Sequence, residues 1–319
     1  ALESRRLLNG VLLKDIDVTP KMEMPTDLTN VSGTLFYSHL DASGRELWKS
    51  DGTTTGTVKV KDIDPGRGSS NPNNFTTVGS TVLFVATTSD YGKELWKTDG
   101  TATGTVQVKD IYSGGGNSDP MMLAVDGSTL YFTATTSSNG RELWVSDGTS
   151  SGTVMVKDIY SGTNSSNISN GNFALLNNKL YFSAQSSSGG TELWKSDGSE
   201  TGTVQVKDIV SSTGSSNPRN FAVLDGKLYF CADDGSNGYE LWKSDGSETG
   251  TNQVRDINPG SPNSDPSNFT LFNSKLYFSA TTNSDGTELW STDGTYTGTT
   301  QVKNINSGSN SSYPSYFTT

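Results

Sequence analysis

One feature constrains this chain more than any other: it says nearly the same thing six times. The tripeptide Glu-Leu-Trp begins at Glu46, Glu94, Glu142, Glu192, Glu240 and Glu288, so successive copies lie 48, 48, 50, 48 and 48 residues apart. The two extra residues fall in one polar stretch around Thr163 to Asn172. A fixed period of this length is the mark of a repeat architecture, and it overrides local readings of single segments.

Each copy reads as four strands. A short first strand, as in Asn74–Val78 or Asn220–Leu224, leads through a turn such as Asp225-Gly226-Lys227. The second is the Leu-Tyr-Phe-Ser-Ala strand, as in Leu276–Ala280. Its alternating apolar residues (Leu130, Phe132, Ala134; Leu180, Phe182, Ala184) have the period of two expected where one strand face packs tightly. Third strands are predicted at residues 46–50, 94–98, 142–146, 192–196, 240–244 and 288–292, and a DGTxxGT turn leads to the fourth, as in Val204–Ile209. Four antiparallel strands in roughly 45 residues make one propeller blade. A single blade cannot bury both of its faces, whereas stacked blades can. The expected fold is therefore all-β: a β-propeller of four-stranded antiparallel blades, forming a single domain over residues 1–319.

The ends suggest the blade count. Val11–Ile16 matches a fourth strand, and Ser315–Thr319 matches a first. Upstream, Asn9-Gly10 is a strong hairpin turn. The reading is a seven-bladed ring whose last blade is split between the termini, with its second strand missing. Six blades with extra ends is the alternative.

Composition narrows the partners. With 34 acidic and 23 basic side chains the formal net charge is −11. Such a surface repels phosphate backbones, so no nucleic acid is expected. No apolar run reaches the length of a membrane span. One cysteine, Cys231, excludes an internal disulfide. The Ser/Thr/Asn/Gly bias points towards export, and the expected location is extracellular or at the cell surface of a bacterium.

The Glu46–Thr57 stretch, ELWKSDGTTTGT, resembles the bacterial ELWxxDGT repeat family of large secreted or surface proteins. The longer unit Leu276–Ile305 is more loosely similar to the repeats of TolB-type propellers. Both resemblances imply a propeller, and the first also implies export. Neither implies one fixed chemistry.

The recurring polar residues read mainly as scaffold. Asp51, Asp99, Asp147, Asp197, Asp245 and Asp293 each precede glycine. Calcium could use such oxygens, but the acidic spacing of a calcium loop is absent, and turn capping is the simpler role. No cofactor is expected, with calcium kept as the one candidate. The glutamates before Leu-Trp and the Lys-Asp pairs (Lys109-Asp110, Lys157-Asp158) are expected in cross-strand ion pairs and loop caps. His39 is the only histidine, which leaves no Ser-His-Asp or multi-histidine metal site, and it is expected on the surface or rim. Cys231 replaces Thr133 or Ser183 of sister copies as a small tolerated residue. An enzyme needs an asymmetric acid, base and substrate pocket, and these copies are too alike. No enzyme activity is expected, a carboxylate-dependent hydrolase or lyase being the alternative.

The long loops between copies are the best recognition surface, because binding residues concentrate on loops held by a rigid scaffold. Arg67, Tyr112, Asp119, Tyr160, Arg219 and Asp265 lie in or beside them, with Tyr91 and Tyr239 on the adjacent shorter turns. Tyrosine beside Asn and Asp suits sugars, since the ring stacks on a pyranose while amides and acids bond its hydroxyls. The expectation is a non-catalytic module presenting these loops to a glycan or protein, multivalently. A structural or adhesive block that self-associates through the incomplete seventh blade is the alternative.

Overall fold

The computed structural model describes residues 24–66 and 68–318. Every described strand belongs to one of six four-stranded antiparallel sheets. The first comprises Thr26–Val31, Thr34–Asp41, Gly44–Ser50 and Val58–Lys61; the second Asn73–Val78, Thr81–Thr88, Gly92–Thr98 and Val106–Lys109. The third comprises Met121–Asp126, Thr129–Thr136, Gly140–Ser146 and Val154–Lys157; the fourth Phe173–Leu176, Lys179–Ser186, Gly190–Ser196 and Val204–Lys207. The fifth comprises Arg219–Leu224, Lys227–Asp233, Tyr239–Ser244 and Asn252–Arg255; the sixth Ser267–Phe272, Lys275–Thr282, Gly286–Thr292 and Thr300–Lys303. In each, the strands pair in sequence order, which is the construction of a propeller blade. No helix occurs among the described residues, and none is long and apolar enough to cross a membrane.

Six sheets among the described residues fit the six-bladed alternative. The predicted N-terminal hairpin and the Val11–Ile16 strand lie outside the described residues. Residues 315–318, expected as a first strand, pair with no strand among the described residues. Third strands begin about two residues earlier than predicted, because the preceding glycine and its neighbour already pair, as in Asp41 opposite Gly44.

The chain divides into two compact units, Ala1–Met155 and Val156–Thr319. In the first, Phe36, Leu47, Val60 and Ile63 of the first sheet and its following loop pack on Phe75, Val82, Phe84, Ala86 and Trp96 of the second. Leu83, Leu95, Val108 and Ile111 then pack on Leu130, Phe132, Ala134 and Trp144 of the third. In the second unit the pattern repeats. Tyr181, Leu193 and Val206 meet Leu228, Phe230, Ala232 and Trp242; Tyr229, Leu241, Val254 and Ile257 meet Leu276, Phe278, Ala280 and Trp290. The second, third, fifth and sixth sheets thus each present a Leu/Phe/Ala/Trp front face to the sheet before them. The alternation in the second strand marks only that front face. Tyr131 and Thr133, on the other side, are buried as well, so these strands are enclosed on both faces. Each large side chain so enclosed contributes roughly 1.5–3 kcal/mol.

Polar bonds bind neighbouring sheets. Lys49, Lys97, Lys195 and Lys243 each reach a carbonyl in the next sheet's DGT turn, at Gly100, Gly148, Gly246 and Gly294, at 2.7–2.8 Å. From the fourth strands, Lys61, Lys109 and Lys207 reach the carbonyls of Thr105, Thr153 and Thr251, and Arg255 that of Thr299. The basic residues of these Lys-Asp and Arg-Asp pairs are thus spent on fixed carbonyls of the adjoining sheet.

Candidate functional site

The recurring carboxylates come first, since their positions decide what remains for function. Asp51 Oδ1 accepts bonds from the Thr53 amide (2.9 Å) and hydroxyl (2.7 Å), and the same pair recurs at Asp99, Asp147, Asp197, Asp245 and Asp293. These bonds hold the carboxyls below their usual range. The two glycines of the motif have separate reasons. Gly52 sits at φ +88°, and a Cβ on Gly56 would fall on the Asp51 carboxylate. The ELWKSDGTTTGT stretch is a self-capped turn in each repeat.

The glutamates before Leu-Trp are fully buried and take no counter-ion in the bonds they make to the long loop. Glu46 accepts from the Ile63 amide (2.8 Å), the Ser70 amide (3.0 Å) and the Ser70 hydroxyl (2.6 Å). Glu94, Glu192, Glu240 and Glu288 hold their own loops by the same three groups. Of the expected ion pairs and loop caps, these glutamates make the caps. Three aimed donors satisfy a buried carboxylate without bringing in a second costly charge. Burial pushes Glu46, Glu94 and Glu192 upward and Glu240 up to about 7, against those bonds. For Glu288 burial also works upward, but the Ile305 and Ser312 bonds outweigh it and its carboxyl lies below the usual range.

His39 is corrected by the structure. It is buried inside the second strand of the first sheet, edge-on to Trp48 at 5.6 Å, because that strand is enclosed on both faces. Cys231 is a fully buried small residue, its thiol pushed up to about 12 by burial.

With the scaffold accounted for, the long loops define a recurrent frame. Asn71, Asp119, Asn167, Asn217 and Asp265 all take the left-handed conformation, φ 46–54°. The amides of Asn71, Asp119, Asn217 and Asp265 donate to the carbonyls of Arg45, Lys93, Thr191 and Tyr239, the residues before Glu-Leu-Trp. Each loop is thereby laid beside the turn joining the second and third strands, as predicted for the recognition loops. The residue before Glu-Leu-Trp and the residue opening the first strand both differ from copy to copy, and both project into this frame.

In the fifth sheet three of the predicted site residues come together. The Arg219 guanidinium lies 3.7 Å from the Tyr239 ring centroid and bonds Asp265 Oδ1 at 2.7 Å. Asn217 Nδ2 donates to the Tyr239 hydroxyl at 3.1 Å. In the first unit, Asp119 pairs with Lys93 at 3.2 Å, and its carbonyl accepts from Arg141 at 2.8 Å. Tyr160 lines a polar cavity of about 400 Å³ with Thr163, Asn164, Ser165, Asn167 and Gln185, formed by the loop that carries the two extra residues. Tyr91 is exposed at its turn, and the Tyr112 amide is drawn to Glu94. Arg67 lies outside the described residues. Asn217, Lys93, Arg141 and Gln185 were not singled out from the sequence. Lys93, Arg141 and Gln185 occupy variable positions of an otherwise repeated motif, whereas Asn217 occupies its recurring left-handed position. Among the described residues, no three His, Cys, Asp or Glu side chains gather as a metal cluster would.

No protein-family model matches the chain, and no curated protein matches it. Solved structures similar to it include the computationally designed Ika8 protein, at 15% identity and TM-score 0.44, covering 85% of this chain and 72% of that one. A puromycin-hydrolyzing peptidase of Mycobacterium tuberculosis is similar at 12% identity and TM-score 0.44, over 88% of this chain and 44% of that one. The Pyrococcus horikoshii acylaminoacyl peptidase is similar at 12% identity and TM-score 0.41, over 90% and 46%. The chain spans about half the length of these two peptidases or less.

Proposed function

We propose that this chain is a non-catalytic recognition module that binds glycan on its loop face, outside the cell, in the manner its ELWxxDGT-like repeats imply. The observation that carries the reading is the Arg219–Tyr239–Asp265–Asn217 cluster. Arg219 and Tyr239 stand at positions that vary among the repeats, Asn217 and Asp265 at the recurring left-handed position, and the four are locked to one another. A preorganised guanidinium, phenol, carboxylate and amide offer donors and acceptors in fixed directions to a polyhydroxyl ligand, which lowers the ordering cost of binding. The recurring carboxylates support a binding role over a catalytic one, because glutamates and turn aspartates alike are engaged with backbone amides and hydroxyls. Related frames elsewhere in the chain, filled with different residues, give a multivalent surface.

A glycan array probed with the chain tests the reading, followed by calorimetry on any hit. Tyr239→Ala and Arg219→Ala should each weaken binding about tenfold or more, the range of a buried aromatic or arginine contact. Absence of any glycan hit, together with capture of a defined protein ligand, would replace glycan by protein. Retention of full affinity in both variants would move the site away from this cluster.

A further inference from the structure

The sixth sheet has a face that nothing among the described residues covers. In the fifth sheet the equivalent back face is closed: Leu224, Val254 and Ile257 are 2%, 5% and 4% exposed against the sixth sheet's front face. Their counterparts in the sixth sheet, Phe272, Val302 and Ile305, are 50%, 49% and 52% exposed. Contiguous apolar side chains left in water are unusual on a finished surface and mark an interaction site.

Three observations specify what fits there. All four equivalent back faces that pack within a unit receive one thing: the Leu/Phe/Ala/Trp front face of another copy of this repeat. Lys303 stands where Lys61, Lys109, Lys207 and Arg255 each donate to a carbonyl of the next DGTxxGT turn, and its ammonium has no hydrogen-bond partner among the described residues. The chain beyond Lys303 already follows the path of a sister repeat. Ser312 and Tyr313 donate to the Thr287 carbonyl as Ser264 and Asp265 do to that of Tyr239. Tyr313 (φ 49°) and Tyr316 (φ 56°) take the left-handed conformations of Asp265 (φ 47°) and Asn268 (φ 59°). Asp and Asn adopt that region readily, whereas a bulky tyrosine does so against steric resistance. Residues 315–318 therefore hold the bend of a first strand with no second strand beside them.

We propose that this face docks a further copy of the repeat's second, third and fourth strands, carried by another polypeptide. The partner's second strand pairs antiparallel with residues 315–318. Its Leu/Phe/Ala/Trp face covers Phe272, Val302 and Ile305, and its DGTxxGT turn supplies the carbonyl that Lys303 lacks. The result is one blade completed across an interface, a form of strand addition. A second copy of this chain meeting the face with its own sixth sheet does not supply that turn, and it is the competing outcome.

The probe is a fluorescent synthetic peptide with the sequence of residues 275–303, titrated onto the full chain. Saturable one-to-one binding is expected, weakened about tenfold or more by Ile305→Lys in the chain and by Phe278→Asp in the peptide. Amides 315–318 should gain hydrogen-exchange protection when it binds. Binding indifferent to Ile305→Lys, or without that protection, overturns the proposal. So does a concentration-dependent dimer of the chain alone that Ile305→Lys dissolves. Because a free peptide can fail to fold, the same sequence is also tethered after Thr319 through a flexible linker. Tethering should lower hydrophobic-dye binding and protect 315–318; neither change occurring refutes the docking outright.

Discussion

Glu240 offers the sharpest test of how the scaffold is held. Its carboxyl is fully enclosed and accepts from the Ile257 amide (2.7 Å), the Ser264 amide (3.0 Å) and the Ser264 hydroxyl (2.7 Å). Burial is the dominant influence and disfavours the charged form; nearby Asp256 works in the same direction, and together they outweigh the three donors. The carboxyl moves from 4.5 to about 7. The folded state thus binds the proton more tightly than the unfolded chain. The stability this gives is present at low pH and is lost as pH rises from about 4.5 to about 7. The gap corresponds to roughly 3 kcal/mol. Glu240→Gln keeps the shape and cannot ionise. Urea unfolding of both proteins, followed by tryptophan fluorescence at pH 5, 6 and 7, isolates the effect, because Glu46, Glu94 and Glu192 titrate identically in both and cancel. The turn aspartates, held low, titrate below this window. The expected result is that wild type loses ground to Glu240→Gln as pH rises, by an amount on the order of 2–3 kcal/mol. A difference that stays flat, or that grows in favour of wild type, would show Glu240 ionised throughout and the donors stronger than burial.

Four further outcomes follow from the packing. Phe230→Ala removes a fully buried ring from the junction of the fourth and fifth sheets and should cost about 3–5 kcal/mol in chemical denaturation. Gly104→Ala places a methyl on the Asp99 carboxylate and should destabilise by about 2 kcal/mol. Gly115→Ala, whose Cβ would meet only an ordinary contact at 3.9 Å, should stay within about 0.5 kcal/mol in the same chemical denaturation. Cys231, enclosed and with its thiol pushed up to about 12, should not react with an aromatic disulfide reagent at pH 8 until the chain is unfolded. Rapid labelling of the native protein would contradict that.

The repeat made the sheets legible, because a 48-residue period with four strand signals leaves few other constructions. It located the second and third strands to within a couple of residues. What it could not show was depth. Alternation of Leu130, Phe132 and Ala134 identifies one buried side, but Tyr131 and Thr133 on the other side are buried too. That is also why His39 went astray: one polar residue in an apolar strand looks like a surface residue until both faces are known to be covered. For the glutamates the sequence left ion pairs and loop caps side by side, and only the loop's return path decides for the cap, with three donors converging on Glu46 from residues 17 and 24 positions away. At the candidate site, Arg219, Tyr239 and Asp265 were picked out singly as loop residues. Their meeting depends on the left-handed bend at Asp265, which composition does not reveal.

What recurs bears on function. A residue repeated in every copy reads as scaffold from the sequence, and in this chain repetition does mark what the scaffold needs. Glu46 and Asp51 recur because every loop and every turn must satisfy its backbone amides, and a carboxylate that accepts three or two bonds from its own repeat does so wherever the repeat is placed. Functional difference must then come from positions at which the scaffold makes no demand on side-chain identity. The residue before Glu-Leu-Trp is such a position: only its carbonyl is used by the loop, so it can be Lys93, Thr191 or Tyr239 without disturbing the bond to the left-handed residue. The opening residue of the first strand is another, being Asn73, Met121, Arg219 or Ser267 in the same backbone register. Exchanging Arg219 and Tyr239 for the Ser and Thr of the sixth sheet should therefore leave the unfolding midpoint nearly unchanged while abolishing recognition at that loop. A large loss of stability from that double exchange would mean the cluster is itself scaffold, and the separation of frame from ligand surface would fail.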